Sequence, residues 1–272
     1  MSNHTHPYGT EHGRNCPAYA SAADEQERPE DLLAAALYVS PATFSDQMFC
    51  DVINTSASDR LVTDAARVST LGADVESADH SKDAGLINFL LKNRHMSPFE
   101  HGIFTWRVNV PIFVMRELHR HRIASYNEES GRYKTLGGMF YVPHQHRPLT
   151  QVGKPGHYEF LAGTDAQIDR AQDAIKRNSR LAWAEYHRML QADIAKEVAR
   201  MVLPVNIYSS CYVTMNPRAL MNFLSLRTTA TNSTFPSFPM YEIDHLAQMM
   251  EVTFEGEMPL TYNAWNKNGR MG

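Results

Sequence analysis

The segment with the densest chemistry runs from residue 116 to 133 and reads RELHRHRIASYNEESGRY. Its arginines suit phosphate groups, because their planar forks make paired, charge-assisted hydrogen bonds. On a regular helix Arg120 and Arg122 would point about 200° apart. They can face one ligand only if the helix ends there, and the Ser, Asn and Gly residues that follow favour such an end. Three further side chains within residues 116–122 carry positive or potentially positive charge: Arg116, His119 and His121.

The residues after this basic cluster form a candidate phosphate site. Ser130 supplies a hydroxyl donor, Gly131 an unobstructed backbone N–H and Arg132 another guanidinium. This combination can cradle a phosphate. The alternative is that the cations only complement the dipole at a helix C-terminus. Composition alone gives the two interpretations equal weight.

Three arginines in the last third of the chain are also candidates for ligand contacts. Arg200, Arg218 and Arg227 each lie at or near the end of a predicted helix in apolar company. A single arginine in such a place is usually a structural ion-pair partner. Three of them, close to Asn216 and Asn222, favour a ligand.

The histidines do not indicate a metal site. His95 and His101 flank a predicted helix start, but their spacing is not that of H-E-x-x-H and no cysteine lies nearby. His4, His6 and His12 match no established ligand spacing. The chain also lacks the glycine patterns of a Rossmann turn and of a P-loop. We therefore expect no metal.

Composition restricts the class of protein. A chain of 272 residues can bury a sizeable core, and a net charge of −4 argues against a general nucleic-acid binder. Three cysteines cannot form a disulfide framework. No apolar run approaches the ~20 residues of a membrane span, and the N-terminus has no apolar signal core. We expect a cytoplasmic protein with neither a membrane nor a nucleic-acid partner.

The order of predicted elements indicates an α+β fold. Residues 1–45 are expected to form a flexible extension with a short helix around 29–37, and residues 46–272 a single domain. We expect a mixed sheet flanked by helices, with strands near residues 48–54, 104–110 and 206–214. One long amphipathic helix is predicted from residue 165 to about 201.

Shorter helices are predicted around the candidate site. They lie near residues 64–68, 82–92 and 241–254, and two others begin at Pro111 and Pro217. Ser97 to Glu100 has the pattern of a capping box. Residues 125–131 and 228–239 have the composition of loops.

Four blocks of the sequence resemble the flavin-dependent thymidylate synthase family. The signature of that family is Arg-His-Arg, seven residues and Ser, which here is Arg120-His121-Arg122, IASYNEE and Ser130. Residues 95–101 match its His-x-x-Pro-Phe-Glu-His block, and two further blocks match at residues 199–204 and 223–227. The resemblance covers about residues 48–256, and four blocks in this order leave little room for chance agreement.

The resemblance implies FAD as bound cofactor and deoxyuridine monophosphate (dUMP) as substrate. It also implies methylenetetrahydrofolate as carbon donor, NADPH as reductant and a homotetramer whose subunits share active sites. The implied FAD contacts are Ser69, Ser97, Arg120, His121, Arg122, Asn127, Glu128, Asn216, Arg218 and Asn222. The implied dUMP contacts are Glu117, Glu128, Ser130, Gly131, Arg132, Arg200 and Arg227. Arg227 is in addition the implied catalytic residue, and His95 lies where the family positions folate and flavin.

Glu117 departs from the family, which commonly has a glutamine there that helps hold the nucleotide. A carboxylate would repel a phosphate unless an arginine neutralises it or the side chain turns away. Glu117 therefore leaves open a relative that makes hydroxymethyluridylate or acts on a cytosine nucleotide. A non-catalytic flavin- or nucleotide-binding regulator is the alternative outside the enzymes. The loop at 228–239 is also longer than is usual in the family.

The cysteines bear on the mechanism. Uracil C5 is a weak nucleophile, which a cysteine thiolate can activate by adding to C6. Neither Cys16, in the extension, nor Cys211, in a predicted half-buried strand, has a setting suited to this role, and Cys50 has none either. Activation must then come from polarising the ring, with Arg227 stabilising negative charge on the uracil carbonyl.

Overall fold

The computed structural model describes residues 40–154 and 157–272. Most of the predicted extension, including the helix expected at 29–37, lies outside these residues. The last part of that extension contains β1 (Thr43–Ser45). No helix in the described ranges is both long and apolar enough to cross a membrane.

Four strands form the central sheet in the order β2 (Phe49–Thr55), β3 (Phe104–Pro111), β8 (Tyr208–Met215) and β4 (Ser125–Glu128). Every neighbouring pair is antiparallel. Side chains alternate between the two faces of a strand, and in β3 Phe104, Trp106, Val108 and Val110 are all fully buried. One face of the sheet therefore covers the core.

Two small strand pairs complete the β-structure. β1 pairs in parallel with β5 (Met139–Tyr141), and β6 (Pro148–Lys154) forms an antiparallel hairpin with β7 (His157–Ala162). The α+β class and the single domain are confirmed. Strands of both orientations occur, but the parallel pair is separate from the four-stranded sheet.

Eight α-helices lie in the described ranges: α1 (Asp59–Leu71), α2 (Asp83–Lys92), α3 (Ile112–Leu118), α4 (Asp165–Gln191), α5 (Lys196–Ala199), α6 (Pro217–Arg227), α7 (Tyr241–Glu257) and α8 (Pro259–Lys267). Asn216 caps α6, since its side chain accepts a hydrogen bond from the Ala219 N–H at 2.8 Å, and Pro217 occupies the first turn. Both features agree with the sequence.

The main core lies between the sheet and the helices, and two of these helices contribute many of its buried side chains. α6 contributes Leu220, Phe223 and Leu224, and α7 contributes Leu246 and Phe254, all fully buried. A second, smaller core surrounds Trp183 and Tyr186 of α4. The main core fixes α6 against the sheet, and this matters for function because α6 carries several of the candidate residues.

Three local predictions are wrong. The long helix ends at Gln191, ten residues early, because Asp193 adopts a left-handed backbone with φ of 57° and breaks the helix. Ser97–Glu100 is a 3₁₀ turn without a capping bond from a side chain, and Glu100 instead pairs with Arg218. Residues 125–128 form the edge strand β4, because their backbone pairs with β8.

Candidate active site

A cavity of about 740 Å³ opens between the end of α3 and the length of α6. Four arginines and two asparagines give it many hydrogen-bond donors, and Glu100 adds a carboxylate. The lining residues are Glu100, Arg120, His121, Arg122, Ile123, Asn216, Arg218, Ala219, Asn222, Leu226, Arg227 and Gly272. Six of the ten predicted FAD contacts and the predicted catalytic Arg227 therefore lie around one cavity.

Arg120 and Arg122 reach the same cavity because α3 ends at Leu118, before either of them. The backbone continues as a tight turn in which His121 N–H donates to Leu118 C=O at 3.1 Å. The hydroxyl of Tyr126 lies 2.9 Å from the Leu118 oxygen and 2.8 Å from the His121 oxygen, and so holds this turn in place. The convergence expected from the sequence is confirmed.

Arg227, the last residue of α6, is held by one side chain from the last turn of α3 and one from the turn that follows it. Its Nε donates to His121 Nε2 at 3.0 Å, and its Nη1 lies 2.8 Å from Glu117 Oε2. Burial, together with the charges of Arg227 and Arg120, lowers the pKa of His121 to about 4. The imidazole is therefore neutral at pH 7, with Nε2 as acceptor and the proton on Nδ1.

Ser69, His95, Ser97 and Asn127 are among the predicted contacts that lie outside this cavity. The hydroxyl of Ser69 donates to Ala66 C=O at the exposed end of α1. Ser97 and His95 are exposed, and the His95 ring packs edge-on to Phe89 at 5.8 Å between centroids. Asn127 lies on β4 opposite Tyr212. Their roles stay predictions.

Glu100 is a cavity residue that sequence reasoning missed, since it was interpreted as part of a capping box. It forms an ion pair with Arg218 across the cavity wall. Its place between Phe99 and His101 in one of the four family blocks is the signal that could have identified it.

A second group of predicted contacts, here called the turn cluster, consists of Ser130, Gly131, Arg132 and Arg200. The Ser130 oxygen accepts a hydrogen bond from Arg132 N–H at 3.2 Å, which closes the turn. Gly131 permits a close approach, because a Cβ there would lie 3.1 Å from Cδ of Arg200. The turn and Arg200 are therefore neighbours although they are far apart in the chain.

Two charged side chains that were not predicted lie beside the turn cluster. Arg132 Nε donates to Glu197 at 2.9 Å, and Lys196 donates to the backbone oxygen of Tyr133 at 3.3 Å. Both partners lie on α5, the short helix that replaces the end of the predicted long one. Sequence reasoning missed Lys196 and Glu197 because that region was predicted to be part of one continuous helix.

β4 connects the cavity to the turn cluster. Arg122 and Ile123 precede the strand and Ser130 follows it. Glu128, predicted to lie between flavin and nucleotide, ends β4 and accepts a hydrogen bond from the Ser209 hydroxyl at 2.6 Å. The strand thus sets the spacing between the two groups.

The thiols of Cys50 and Cys211 are protonated at neutral pH. Burial raises the pKa of Cys50 to about 12 and that of Cys211 to about 11, and only the thiolate is a strong nucleophile. Over residues 40–154 and 157–272 no three His, Cys, Asp or Glu side chains are grouped to hold a metal ion. Arginine, amide and hydroxyl donors dominate the chemistry of the site.

Fold and site together define an α+β protein with a cavity rich in arginine and amide groups, a set of donors suited to phosphates and polar rings. The sequence profile of one family, described as thymidylate synthase complementing protein, matches residues 51–260. The chain belongs to this family. The family assignment made from the sequence is confirmed.

Several relatives are similar over nearly their full length. A flavin-dependent thymidylate synthase of Tropheryma whipplei (strain Twist) is 48% identical over 242 residues, which are 88% of this chain and 99% of the relative. One of Streptomyces avermitilis is 46% identical over 233 residues, 84% of this chain and 95% of the relative.

A solved structure has the same fold. It is a UMP/dUMP methylase, PolB, from Streptomyces cacaoi bound with 5-Br dUMP. It superposes with a TM-score of 0.80 at 43% sequence identity and covers 84% of this chain and 99% of that one. A second structure of that methylase, with 5-Br UMP, has a TM-score of 0.79 at 41% identity, over 85% of this chain and 99% of that one.

Proposed function

We propose that this protein methylates dUMP reductively to dTMP, with FAD as cofactor, methylenetetrahydrofolate as carbon donor and NADPH as reductant. The observation that carries the proposal is the single cavity that collects Arg120, Arg122, Arg218 and Arg227 in a chain of this family. A cytoplasmic location belongs to the same proposal.

The donor set of the cavity fits FAD. Arg120, Arg122 and Arg218 supply guanidinium forks for the two phosphates of the dinucleotide. Asn216 and Asn222 supply amide groups that can both donate to and accept from ring edges. When bound, FAD supplies the redox chemistry of the reaction, and the protein supplies placement and electrostatics.

Arg227 has the position and rigidity for the catalytic role. Arg227 is the last residue of α6, which is packed into the core. The side chains of His121 and Glu117 hold its guanidinium. Negative charge grows on a uracil carbonyl as C5 attacks the carbon donor. A preorganised cation stabilises this charge without reorganising, so it favours the transition state over the ground state.

The turn cluster is the proposed site of the nucleotide phosphate. Ser130 and Arg132 offer a hydroxyl and a guanidinium from one turn, and Arg200 lies against Gly131. Because the ion pair of Arg132 is with an exposed carboxylate, an incoming phosphate can replace Glu197 at small cost.

We further propose a homotetramer with shared active sites. None of the turn-cluster residues lines the cavity that contains Arg227, which supports completion of each site by a second chain. Mixed tetramers test this. If an Arg227→Ala variant and an Arg132→Ala variant are each impaired, co-refolded mixtures should regain turnover. Mixtures that stay as slow as their components would contradict shared sites.

The decisive experiment is one complete reaction with mass spectrometry of the nucleotide product. The purified protein should be yellow, and dTMP should form only when dUMP, methylenetetrahydrofolate, FAD and NADPH are all present. A hydroxymethyl product, or tight binding without turnover, would refute the proposal. UMP belongs in the same experiment as a second substrate, because the structural relative binds 5-Br UMP as well as 5-Br dUMP.

A further inference from the structure

Glu117 contacts the catalytic arginine, although the family resemblance implied that it contacts the nucleotide. Its Oε2 lies 2.8 Å from Nη1 of Arg227. We propose that Glu117 is a positioning residue, which orients the guanidinium of Arg227 toward the reacting ring. This inference rests on the proposed function.

Two bonds fix the orientation of the guanidinium. His121 accepts from Nε and Glu117 from Nη1, so two nitrogens of the planar group are bound to separate side chains. A guanidinium held at two points cannot rotate about its Nε–Cζ axis or swing on its side-chain torsions without breaking a bond. The bonds leave Nη2 as the nitrogen without a described protein partner, available to a ligand.

The acceptors are themselves rigid. Glu117 belongs to α3, and His121 lies one turn further along in the segment that Tyr126 holds. The ring of His121 also packs edge-on against Phe223 of α6, with 4.8 Å between centroids. Both ends of the arrangement are thereby tied to packed helices.

The pairing also resolves the charge problem at position 117. A free carboxylate near a phosphate would weaken nucleotide binding. In the structure the charge of Glu117 is compensated by Arg227, and the side chains of the pair are only 34% and 20% exposed, respectively. A contact this sheltered is screened less than a surface ion pair.

The first test compares Glu117→Ala with the wild type for kcat and for the Kd of dUMP. A misoriented guanidinium should lower kcat roughly tenfold to a hundredfold and change the nucleotide Kd little. Glu117→Gln should recover part of the loss, because the amide oxygen can still accept from Nη1 although the charge is gone. The matched control is Glu185→Ala, which removes an ion pair of 2.9 Å with Arg188 on α4 and should leave kcat unchanged.

A double-mutant cycle distinguishes positioning from an independent role. In an Arg227→Ala background, Glu117→Ala should have no further effect on kcat, because nothing remains to be oriented. Added guanidinium ion should restore some turnover to Arg227→Ala, and less to the double variant. Equal losses in the two backgrounds would overturn the proposal, as would an unchanged kcat with a raised nucleotide Kd.

The same four proteins also report on the pair without any turnover. Thermal unfolding of the flavin-bound enzymes should give losses in Tm that are smaller for the double variant than the sum of the single losses. Additive losses would show that the pair is absent in solution and would overturn the inference. If the Tm losses of the variants are coupled but the wild-type enzyme makes no dTMP, the proposed function alone is refuted.

Discussion

The two groups of candidate residues on either side of β4 differ in how their arginines are held. In the cavity, Arg227 is 20% exposed and is bound by both Glu117 and His121. In the turn cluster, Arg132 is 55% exposed and pairs with Glu197, which is 51% exposed. An ion pair as exposed as that of Arg132 and Glu197 contributes about 0–1 kcal/mol to stability. Arg132 can therefore exchange its partner readily.

This difference matches the tasks that the two groups would have. A phosphate does not change charge during the reaction, so its binding needs cations that can leave a weak partner. A carbonyl that gains charge is stabilised best by a cation that is already in place. The comparison predicts that substitutions in the cavity affect rate and cofactor retention, whereas substitutions in the turn cluster affect nucleotide affinity.

The largest effect is expected from Arg227→Ala. Loss of one preorganised donor at a developing oxyanion costs roughly 10²–10³ in kcat, and the Kd of dUMP should rise only modestly. Arg227→Lys should recover little, since a point charge cannot reproduce the planar fork. Single-turnover flavin oxidation and nucleotide titration separate the two constants. Normal turnover at saturation with weak binding would place Arg227 among the binding contacts and remove the contrast.

A smaller effect is expected from Arg120→Ala and Arg122→Ala, which should weaken FAD binding. Each removes charged hydrogen bonds worth about 1.5–3 kcal/mol, or roughly tenfold to a hundredfold in affinity. Flavin absorbance after purification and after reconstitution measures the loss. Arg107→Ala is the matched control, because Arg107 pairs with Asp51 on the surface of the sheet. Full flavin content in both cavity variants would rule out the proposed cofactor contacts.

A smaller effect still should follow Ser130→Ala. Loss of one hydrogen bond to a charged phosphate should raise the nucleotide Kd by roughly tenfold, while activity at saturation remains. Arg132→Ala should act in the same direction. Thr135→Ala, later in the same loop, serves as the control. A Ser130→Ala enzyme that binds dUMP with unchanged affinity but does not turn over would contradict a phosphate contact.

The sequence predicted those parts of the site that depend on local chemistry. Arg120 and Arg122 converge because α3 stops at Leu118, and Asn216 with Pro217 starts α6 where the capping preferences place it. Such signals involve residues a few positions apart, so they can be identified without knowledge of the fold.

The missed features depend on contacts between distant segments. Glu100 pairs with Arg218, and Glu117 with Arg227, only after α6 packs beside α3 and the 3₁₀ turn. The strands β1 and β5 have three residues each, too few to show a periodic pattern. The early end of α4 at Gln191 was hidden because apolar residues continue at helical spacing beyond it.

The smallest effect is expected from the cysteines, of which Cys50 and Cys211 lie outside both groups. Cys211 is the one to test most carefully, because it pairs in register with Glu128 of β4, between the cavity and the turn cluster. Burial raises the pKa of its thiol to about 11 and that of Cys50 to about 12, so both are protonated at pH 7. Replacement of Cys16, Cys50 and Cys211 by serine or alanine should therefore leave turnover.

The cost of the cysteine substitutions should appear in stability. Cys211 is 1% exposed and packs in the main core, so Cys211→Ala should lower the free energy of unfolding by about 1 kcal/mol, and Cys50→Ala by less because Cys50 is only partly buried. Thermal unfolding and flavin content establish that the triple variant is folded and loaded. If that variant then formed no dTMP, a thiolate would have to activate uracil, and the cavity would need Arg227 for binding alone.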